Sequence, residues 1–205
     1  MIGSEGVDTE LLDRLEGALR AGEPVVLPTD TVYGVAALPT VPGATDRLFA
    51  LKDRRPGAPL AVLVADFAQA AAVAGPLPPP ADRLARALWP GPLTLVLPRA
   101  EAVRAWALGG DNATIGVRCP DHRLVRALAA RVGPIATTSA NRHGQPTPAT
   151  AAAAAAALTG PVAVVADGGT LAGAASTVVD ATTPGLDVLR EGPIPAARIR
   201  ALASS

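Results

Sequence analysis

Hydrophobic positions along the chain alternate between helical and strand-like spacing. Leucines recur at helical intervals over residues 11–19, between a capping Asp8 or Thr9 and a closing Gly22, and this pattern predicts an amphipathic helix. Further helices are predicted from about Ala44 to Lys52, after Asp66, from Ala81 to Leu88, after a capping Asp121, over the alanine-rich residues 149–158 with Thr150 as the cap, and over residues 194–203. Strands are predicted at the apolar runs "PVVLPT", "LAVLVA", "LTLVLP", "ATIGVR", "PIATTS", "PVAVVADGG", "STVVDA" and "LDVLRE".

This alternation of short strands and helices predicts an α/β domain with a mixed sheet. The chain has 205 residues, with no internal repeat and no linker that would divide it, so a single domain over residues 1–205 is expected. Hydrophobic residues make up 49% of the chain and aromatic residues only 2%. The core is therefore expected to consist of Ala, Val and Leu with few large side chains.

Charge and cysteine content narrow the possible functions. The formal net charge is zero, which argues against a protein that coats nucleic acid, so any phosphate binding must be local. A single cysteine, Cys119, excludes an internal disulfide and a multi-cysteine metal site. The start "MIGSEGVDTE" is unlike a signal peptide, and no apolar run reaches the length of a membrane span. We therefore expect a soluble, cytoplasmic protein without a membrane partner.

Polar residues collect where several predicted strands end. Thr29, Asp30 and Thr31 follow the first strand, Arg118 closes "TIGVR", and the segment "TTSAN" over residues 137–141 follows the "PIA" strand. Ligands of open α/β sheets bind in the crevice outside the strand ends, so the recurrence suggests one shared pocket. A single such cluster is more often a set of turn and cap residues, and this alternative stays open for each cluster.

Lys52 is the only lysine in a chain that otherwise supplies its positive charge as arginine. With Arg54 and Arg55 it forms a small cationic cluster, and a compact ammonium group at this one place suits a phosphate. The alternative is a solvated helix end, where basic side chains are favoured by the helix dipole. No glycine pattern matches a phosphate loop or a dinucleotide fingerprint.

Other chemistries have less support in the sequence. His122 and His143 are the only histidines and lack partners at metal-ligand spacing, and Ser139 lacks the glycines that flank the nucleophile of a hydrolase. Cys119 is interpreted as a buried structural thiol. Any catalysis is therefore expected to depend on positioning and charge neutralisation rather than on a covalent nucleophile.

Several segments, taken in order, resemble the YrdC-type threonylcarbamoyladenylate synthase family. They are "LPTDTVYG", "LKDR" with "PLAVLV", "LWPGPLTLVL", "IGVRCPDH", "TTSANRHGQPTP", "DGG", "STVVD" and "LREG", and they run from about residue 24 to residue 192. The resemblance implies a single α/β domain with a twisted mixed sheet, flanked by helices around a basic cavity. Larger relatives add a C-terminal domain, which this chain is expected to lack.

The resemblance also implies an activity. Members of the family join L-threonine, bicarbonate and ATP into threonylcarbamoyladenylate and release pyrophosphate, which makes them nucleotidyltransferases. Magnesium accompanies the ATP. A separate transferase complex then places the threonylcarbamoyl group on the adenosine beside the anticodon of certain tRNAs. Because the net charge is zero and aromatic residues are few, direct tRNA binding by this chain is expected to be weak at most.

The family's site residues can be carried over by position. The threonine side is assigned to Thr31, Tyr33, Arg118, Thr137 and Ser176, with Arg118 pairing the substrate carboxylate. The ATP side is assigned to Lys52, Arg54, Thr114, Ser139, Asn141, Thr147 and Arg190, with Lys52 and Arg54 as the catalytic cations near the phosphates.

Asp30 has two interpretations, a magnesium ligand or a cap for the adjoining turn, and the cap is favoured because one carboxylate makes a poor metal site. Two positions depart from some relatives: Ala58 stands where they carry Asn or Lys, and Leu63 where they carry His.

Two alternative functions remain. One is a carbamoyl-adenylate-forming module of the same fold, which acts on carbamoyl phosphate and usually sits in a longer chain. The other is an RNA-binding protein, which zero net charge and few aromatic residues disfavour.

Overall fold

The computed structural model describes residues 6–53, 58–142, 144–171, 173–183 and 185–203. The helices are α1 (Thr9–Arg20), α2 (Ala44–Leu51), α3 (Phe67–Ala74), α4 (Pro79–Leu88), α5 (Arg123–Val132), α6 (Ala151–Ala156) and α7 (Ala196–Ala203), with a 3-10 turn at Glu101–Val103. The strands are β1 (Val25–Leu27), β2 (Gly34–Ala37), β3 (Ala61–Leu63), β4 (Leu93–Pro98), β5 (Thr114–Arg118), β6 (Ile135–Ser139), β7 (Val164–Val165), β8 (Thr177–Asp180) and β9 (Asp187–Arg190).

These strands form one sheet in the order β7-β1-β2-β6-β3-β5-β4-β8-β9. Three neighbouring pairs are parallel, namely β1 with β7, β3 with β5, and β4 with β8. The other five pairs are antiparallel. The predicted α/β fold with a mixed sheet is therefore confirmed.

Helices pack on both faces of the sheet. One hydrophobic cluster joins the strands to α2, α3, α4, α6 and α7, through residues such as Leu48, Val73, Leu84 and Ile199. A second cluster joins alternate residues of β1, β2, β3 and β6 to α1 and α5, through residues such as Leu15 and Leu128. Because α1 and α5 cover only part of the second face, the remainder of that face is left for a cavity. Among the described residues, no helix combines the length and apolar character needed to cross a bilayer.

Three predicted helix starts are confirmed by their caps. Asp8, Asp66 and Thr150 accept hydrogen bonds from backbone N–H groups three residues later, in α1, α3 and α6. The predicted Asp121 cap is wrong, because α5 begins one residue later and its N-cap, His122, makes no side-chain capping bond. Asp121 lies instead 3.9 Å from Arg126 as a loose ion pair.

Strand β2 was not predicted. Its sequence, Gly-Val-Ala-Ala, is buried at every position and so lacks the alternation that marks a half-buried strand. Glycine and alanine also have low strand propensity. The strand forms because β1 and β6 pair with it on either side.

Candidate active site

A cavity of about 440 Å³ lies against the face of the sheet that α1 and α5 leave open. It is lined by alternate residues of successive strands, since Ala61 and Leu63 of β3 and Thr137 and Ser139 of β6 point to the same side. Nine predicted site residues line it: Thr31, Lys52, Thr114, Arg118, Thr137, Ser139, Asn141, Ser176 and Arg190. The structure thus brings together residues that are far apart in the sequence.

Small residues on the central strands make room for this cavity. Gly34, Ala61 and Gly116 all line it, and Ala61 lies opposite Gly116 in one direction and Thr137 in the other. A Cβ at Gly34 would lie 2.8 Å from Thr137 Oγ1, so only glycine fits there without displacing a cavity side chain. The expectation of a crevice outside the strand ends is therefore only partly right, because the cavity extends over the sheet face itself.

Arg118 lies at the end of β5, and its side chain is 7% exposed. Its Nε donates to the carbonyl of Gly91 at 3.1 Å, its Nη1 to Thr31 Oγ1 at 2.9 Å, and its Nη2 to Asp30 Oδ1 at 2.6 Å. Three of its five N–H donors are thus used within the described part of the chain, which fixes the guanidinium plane. Burial lowers the pKa of Arg118, and the Asp30 charge opposes that shift.

This contact corrects the favoured interpretation of Asp30. Asp30 forms a largely buried ion pair with Arg118, and its other oxygen, Oδ2, is buried with no hydrogen-bond partner among the described residues. The turn is capped by Thr29 instead, whose Oγ1 accepts from the N–H groups of Thr31 and Val32. The favoured cap role of Asp30 is therefore wrong, and its observed contact is with Arg118.

Lys52 is 2% exposed, so the interpretation of a solvated helix end is also wrong. Its Nζ donates to the carbonyl of Ser139 and, at 2.8 Å, to Asn141 Oδ1. Ser139 Oγ donates to the same amide oxygen at 2.5 Å, and Asn141 Nδ2 donates to the carbonyls of Arg142 and Gln145. The ammonium group thereby holds the loop after β6 and places positive charge on the cavity wall.

Arg190 and Ser176, predicted for opposite sides of the site, are in direct contact. Arg190 donates from Nε to the Ser176 carbonyl at 3.0 Å and from Nη2 to Ser176 Oγ at 3.2 Å. Ser176 Oγ lies 2.8 Å from the hydroxyl of Thr94, a buried residue on β4. Burial lowers the pKa of Arg190. Sequence reasoning missed Thr94, because in "PLTLVLP" it looks like an ordinary strand residue.

Two further predicted hydroxyls line the cavity while bonded to the protein. Thr137 Oγ1 donates to the Val35 carbonyl at 3.1 Å, and Thr114 Oγ1 donates to Asp111 Oδ1 at 3.1 Å. Because each hydroxyl has one hydrogen, both residues face the cavity as acceptors.

Two predicted site residues, Tyr33 and Thr147, are not among the described lining of the cavity. Tyr33 is fully buried, and its hydroxyl donates to Gly169 O at 2.7 Å and accepts from Gly168 N at 2.9 Å. Tyr33 thus anchors the 167–169 loop rather than touching the cavity. Thr147 is half-buried outside the lining, although Gly144 of the same loop contributes to it. Arg54 and its neighbour Arg55 lie outside the described residues, as does His143.

The described lining carries the charged groups Lys52, Arg118 and Arg190 and no carboxylate. No group of three or more His, Cys, Asp or Glu among the described residues is arranged to hold a metal ion. A concave site with three cations, many hydroxyls and an apolar wall is suited to a small organic anion. This cavity is the basic cavity that was predicted together with the fold class.

Comparison with known proteins places this pocket in a family. The family model Sua5_yciO_yrdC, described as "Telomere recombination", matches residues 17–192. The chain belongs to this Sua5/YciO/YrdC family, as its sequence motifs predicted. Over 87% of its length it is 39% identical to the Threonylcarbamoyl-AMP synthase of Pyrococcus abyssi, and over 89% it is 40% identical to the Putative threonylcarbamoyl-AMP synthase of Mycobacterium tuberculosis strain H37Rv.

Solved structures agree with these similarities. The crystal structure of Pyrococcus abyssi Sua5 complexed with L-threonine superposes with a TM-score of 0.85 at 37% identity, over 93% of this chain and 56% of that one. Escherichia coli YciO superposes with a TM-score of 0.84 at 25% identity, over 94% of each chain. The chain spans 53% of the Pyrococcus abyssi synthase sequence and 84% of the Mycobacterium tuberculosis sequence.

Proposed function

We propose that this protein is an L-threonylcarbamoyladenylate synthase, a nucleotidyltransferase that condenses L-threonine, bicarbonate and ATP into threonylcarbamoyl-AMP and pyrophosphate. The observation that carries the proposal is the convergence in one cavity of Arg118 with Thr31 and of Lys52 with the Ser139–Asn141 loop. Relatives of this name in archaea, bacteria and Homo sapiens support it. We also propose a single domain over residues 1–205.

The threonine side suits a hydroxy amino acid. The plane of the Arg118 guanidinium is fixed by its three hydrogen bonds, and its two other N–H donors are enough for a carboxylate. Thr137 presents an oxygen lone pair because its proton is donated to the Val35 carbonyl, and Thr31 Oγ1 keeps one lone pair beside the bond that it accepts from Arg118. A substrate hydroxyl can donate to either oxygen. Threonine carries both the anion and the hydroxyl donor that this arrangement needs.

The reaction requires the threonine amine to lose its proton and attack carbon dioxide or bicarbonate. With bicarbonate the products are a carbamate, water and a proton, and the carbamate oxygen then attacks the α-phosphorus of ATP. The bond from that phosphorus to the bridging oxygen breaks, and pyrophosphate leaves with the electron pair. Lys52 and Arg190 place positive charge along the wall where the phosphates would lie, which stabilises the developing negative charge.

Magnesium enters this scheme with the nucleotide. The described lining contains no carboxylate, so the donor set does not fit an ion held by protein ligands. Magnesium would be held by phosphate oxygens and water, and no step above depends on a protein ligand for it. Transfer of the product to a tRNA-modifying complex, and a cytoplasmic location, are further parts of the proposal.

The proposal is tested by measuring pyrophosphate release with ATP and single omissions. Release is expected only when threonine and bicarbonate are both present. Equal release with carbamoyl phosphate and without threonine would instead favour the carbamoyl-adenylate module. Salt-dependent tRNA binding in the absence of ATP, with no pyrophosphate release, would favour the RNA-binding alternative.

A further inference from the structure

The hydroxyl protons of Thr94 and Ser176 differ in their use from those of three other residues on the cavity wall. The hydroxyl hydrogens of Thr114, Thr137 and Ser139 are each donated to a protein acceptor. The same holds for Thr29, which donates to the Val32 carbonyl at 2.7 Å. Thr29 Oγ1 also accepts from the N–H groups of Thr31 and Val32, so both of its lone pairs are used, and its 3.0 Å contact with Thr31 Oγ1 does not fix the direction of the Thr31 hydrogen.

The Arg118 side of the cavity has a hydrogen-bond network of its own. Arg118 Nη1 donates to Thr31, whose oxygen lies 3.0 Å from Thr29 Oγ1, and Thr29 donates to the Val32 carbonyl. Thr31 therefore offers a ligand the lone pair that Arg118 leaves unused.

The chain of hydrogen bonds that begins at Arg190 ends on a pair of hydroxyl groups. Arg190 Nη2 donates to Ser176 Oγ, which lies 2.8 Å from Thr94 Oγ1. Two hydroxyls carry two hydrogens and this contact uses one, so one O–H has no acceptor in the described part of the chain. A charged donor on Ser176 Oγ strengthens its O–H as a donor, which favours the direction Arg190 to Ser176 to Thr94. The unused proton then belongs to Thr94.

Thr94 is placed to give that proton to the substrate. It is 5% exposed, lies on β4 and lines the cavity. In the sheet, β4 lies between β5, which ends at Arg118, and β8, which begins directly after Ser176. Leu95 pairs with Val117, so the next position in the antiparallel register sets Thr94 opposite Arg118. A guanidinium and a hydroxyl donor on neighbouring strands, both facing the cavity, form a site for a carboxylate.

We propose that Thr94 is a further substrate-binding residue, whose hydroxyl donates to the carboxylate of the amino acid that Arg118 pairs. The inference rests on the proposed function and deepens it. It assigns Ser176 and Arg190 a shared task, since together they orient and polarise the Thr94 hydroxyl. Thr31 and Thr137 remain acceptors for the substrate's own hydroxyl.

The test is direct binding of L-threonine by calorimetry to Thr94→Val, which keeps the side-chain shape and removes the hydroxyl. The dissociation constant is expected to rise roughly 10- to 100-fold, because the lost hydrogen bond goes to a charged group. Thr94→Ser should retain affinity within a few-fold. Thr159→Val is the matched control, since that hydroxyl donates to the Ala50 carbonyl outside the cavity, and its affinity should equal the wild type's. ATP affinity should stay unchanged in all three.

The carboxylate is identified with L-threoninol, which replaces that group by an alcohol, measured by ligand-detected NMR. Thr94→Val should weaken threonine much more than threoninol, and an equal effect on both would overturn the carboxylate assignment. If Thr94→Val does not fold, Thr94→Ser and Thr94→Ala are compared, since both lack the methyl group and differ only in the hydroxyl. Wild-type threonine affinity in the hydroxyl-free variant would overturn the inference while leaving the proposed function intact. Failure of the wild type itself to bind threonine would overturn both.

Discussion

The Arg118–Asp30 ion pair links substrate binding to folding, and two variants separate these contributions. The pair spans 2.6 Å, and the two side chains are 7% and 14% exposed. Arg118→Ala leaves the Asp30 carboxylate buried without its partner and removes bonds to the Gly91 carbonyl and Thr31. Breaking one side of such a pair costs about 3–5 kcal/mol of unfolding free energy. Losing the substrate carboxylate contact weakens threonine binding roughly 30- to 1,000-fold.

The double variant Asp30→Asn with Arg118→Ala removes the stranded charge but does not restore the guanidinium. Urea unfolding is expected to show that it regains about 1–2 kcal/mol or more relative to Arg118→Ala. Calorimetry should show threonine binding as weak as in the single variant. Arg131→Ala is the control, because Arg131 pairs with Asp13 and Glu16 at the surface and should lose much less stability. The reasoning is refuted if the double variant is no more stable than Arg118→Ala, or if it recovers threonine affinity.

Three further predictions concern residues whose environment the structure defines. Lys52→Met should weaken ATP binding at least tenfold and lower the unfolding free energy by about 1–3 kcal/mol, because two acceptors lose a buried donor. An unchanged ATP affinity in calorimetry and an unchanged midpoint of urea unfolding would contradict this. Tyr33→Phe should lower the unfolding free energy in urea by about 1–3 kcal/mol and leave the threonine dissociation constant within about twofold. A large loss of threonine affinity at full stability would instead show that Tyr33 contacts the substrate. Burial raises the pKa of the Cys119 thiol to about 11, so native protein at pH 8 should react with a thiol reagent only as fast as it unfolds, whereas immediate labelling would show an accessible thiolate.

The sequence predicted the fold well where local signals were strong. Asp8 and Asp66 precede apolar segments and Thr150 precedes a run of alanines, and each caps a helix as its side chain and position suggested. The prediction failed at β2, which carries no alternation, and at Asp121, whose capping chemistry is right but whose position is one residue early. Both outcomes depend on neighbouring strands and on the path of the chain, which a local pattern does not contain.

The sequence predicted which residues lie in the site better than it predicted which of them contact each other. The motifs named nine residues that line one cavity, yet they gave no sign that Arg118 is held by Asp30, or that Arg190 and Ser176 touch each other. Lys52 looked equally suited to a solvated helix end, because burial depends on where the loop after β6 lies. Thr94 carried no signal at all, since its role follows from its neighbours on two adjacent strands.

The central claim is tested most directly by the mass of the product. The protein is incubated with ATP, magnesium, carbon-13 bicarbonate and deuterated L-threonine, and the mixture is analysed by mass spectrometry. The account predicts an adenylate that carries both labels, formed together with an equal amount of pyrophosphate and lost when either labelled substrate is omitted. An adenylate without the threonine label, or pyrophosphate released at the same rate without threonine, would contradict it.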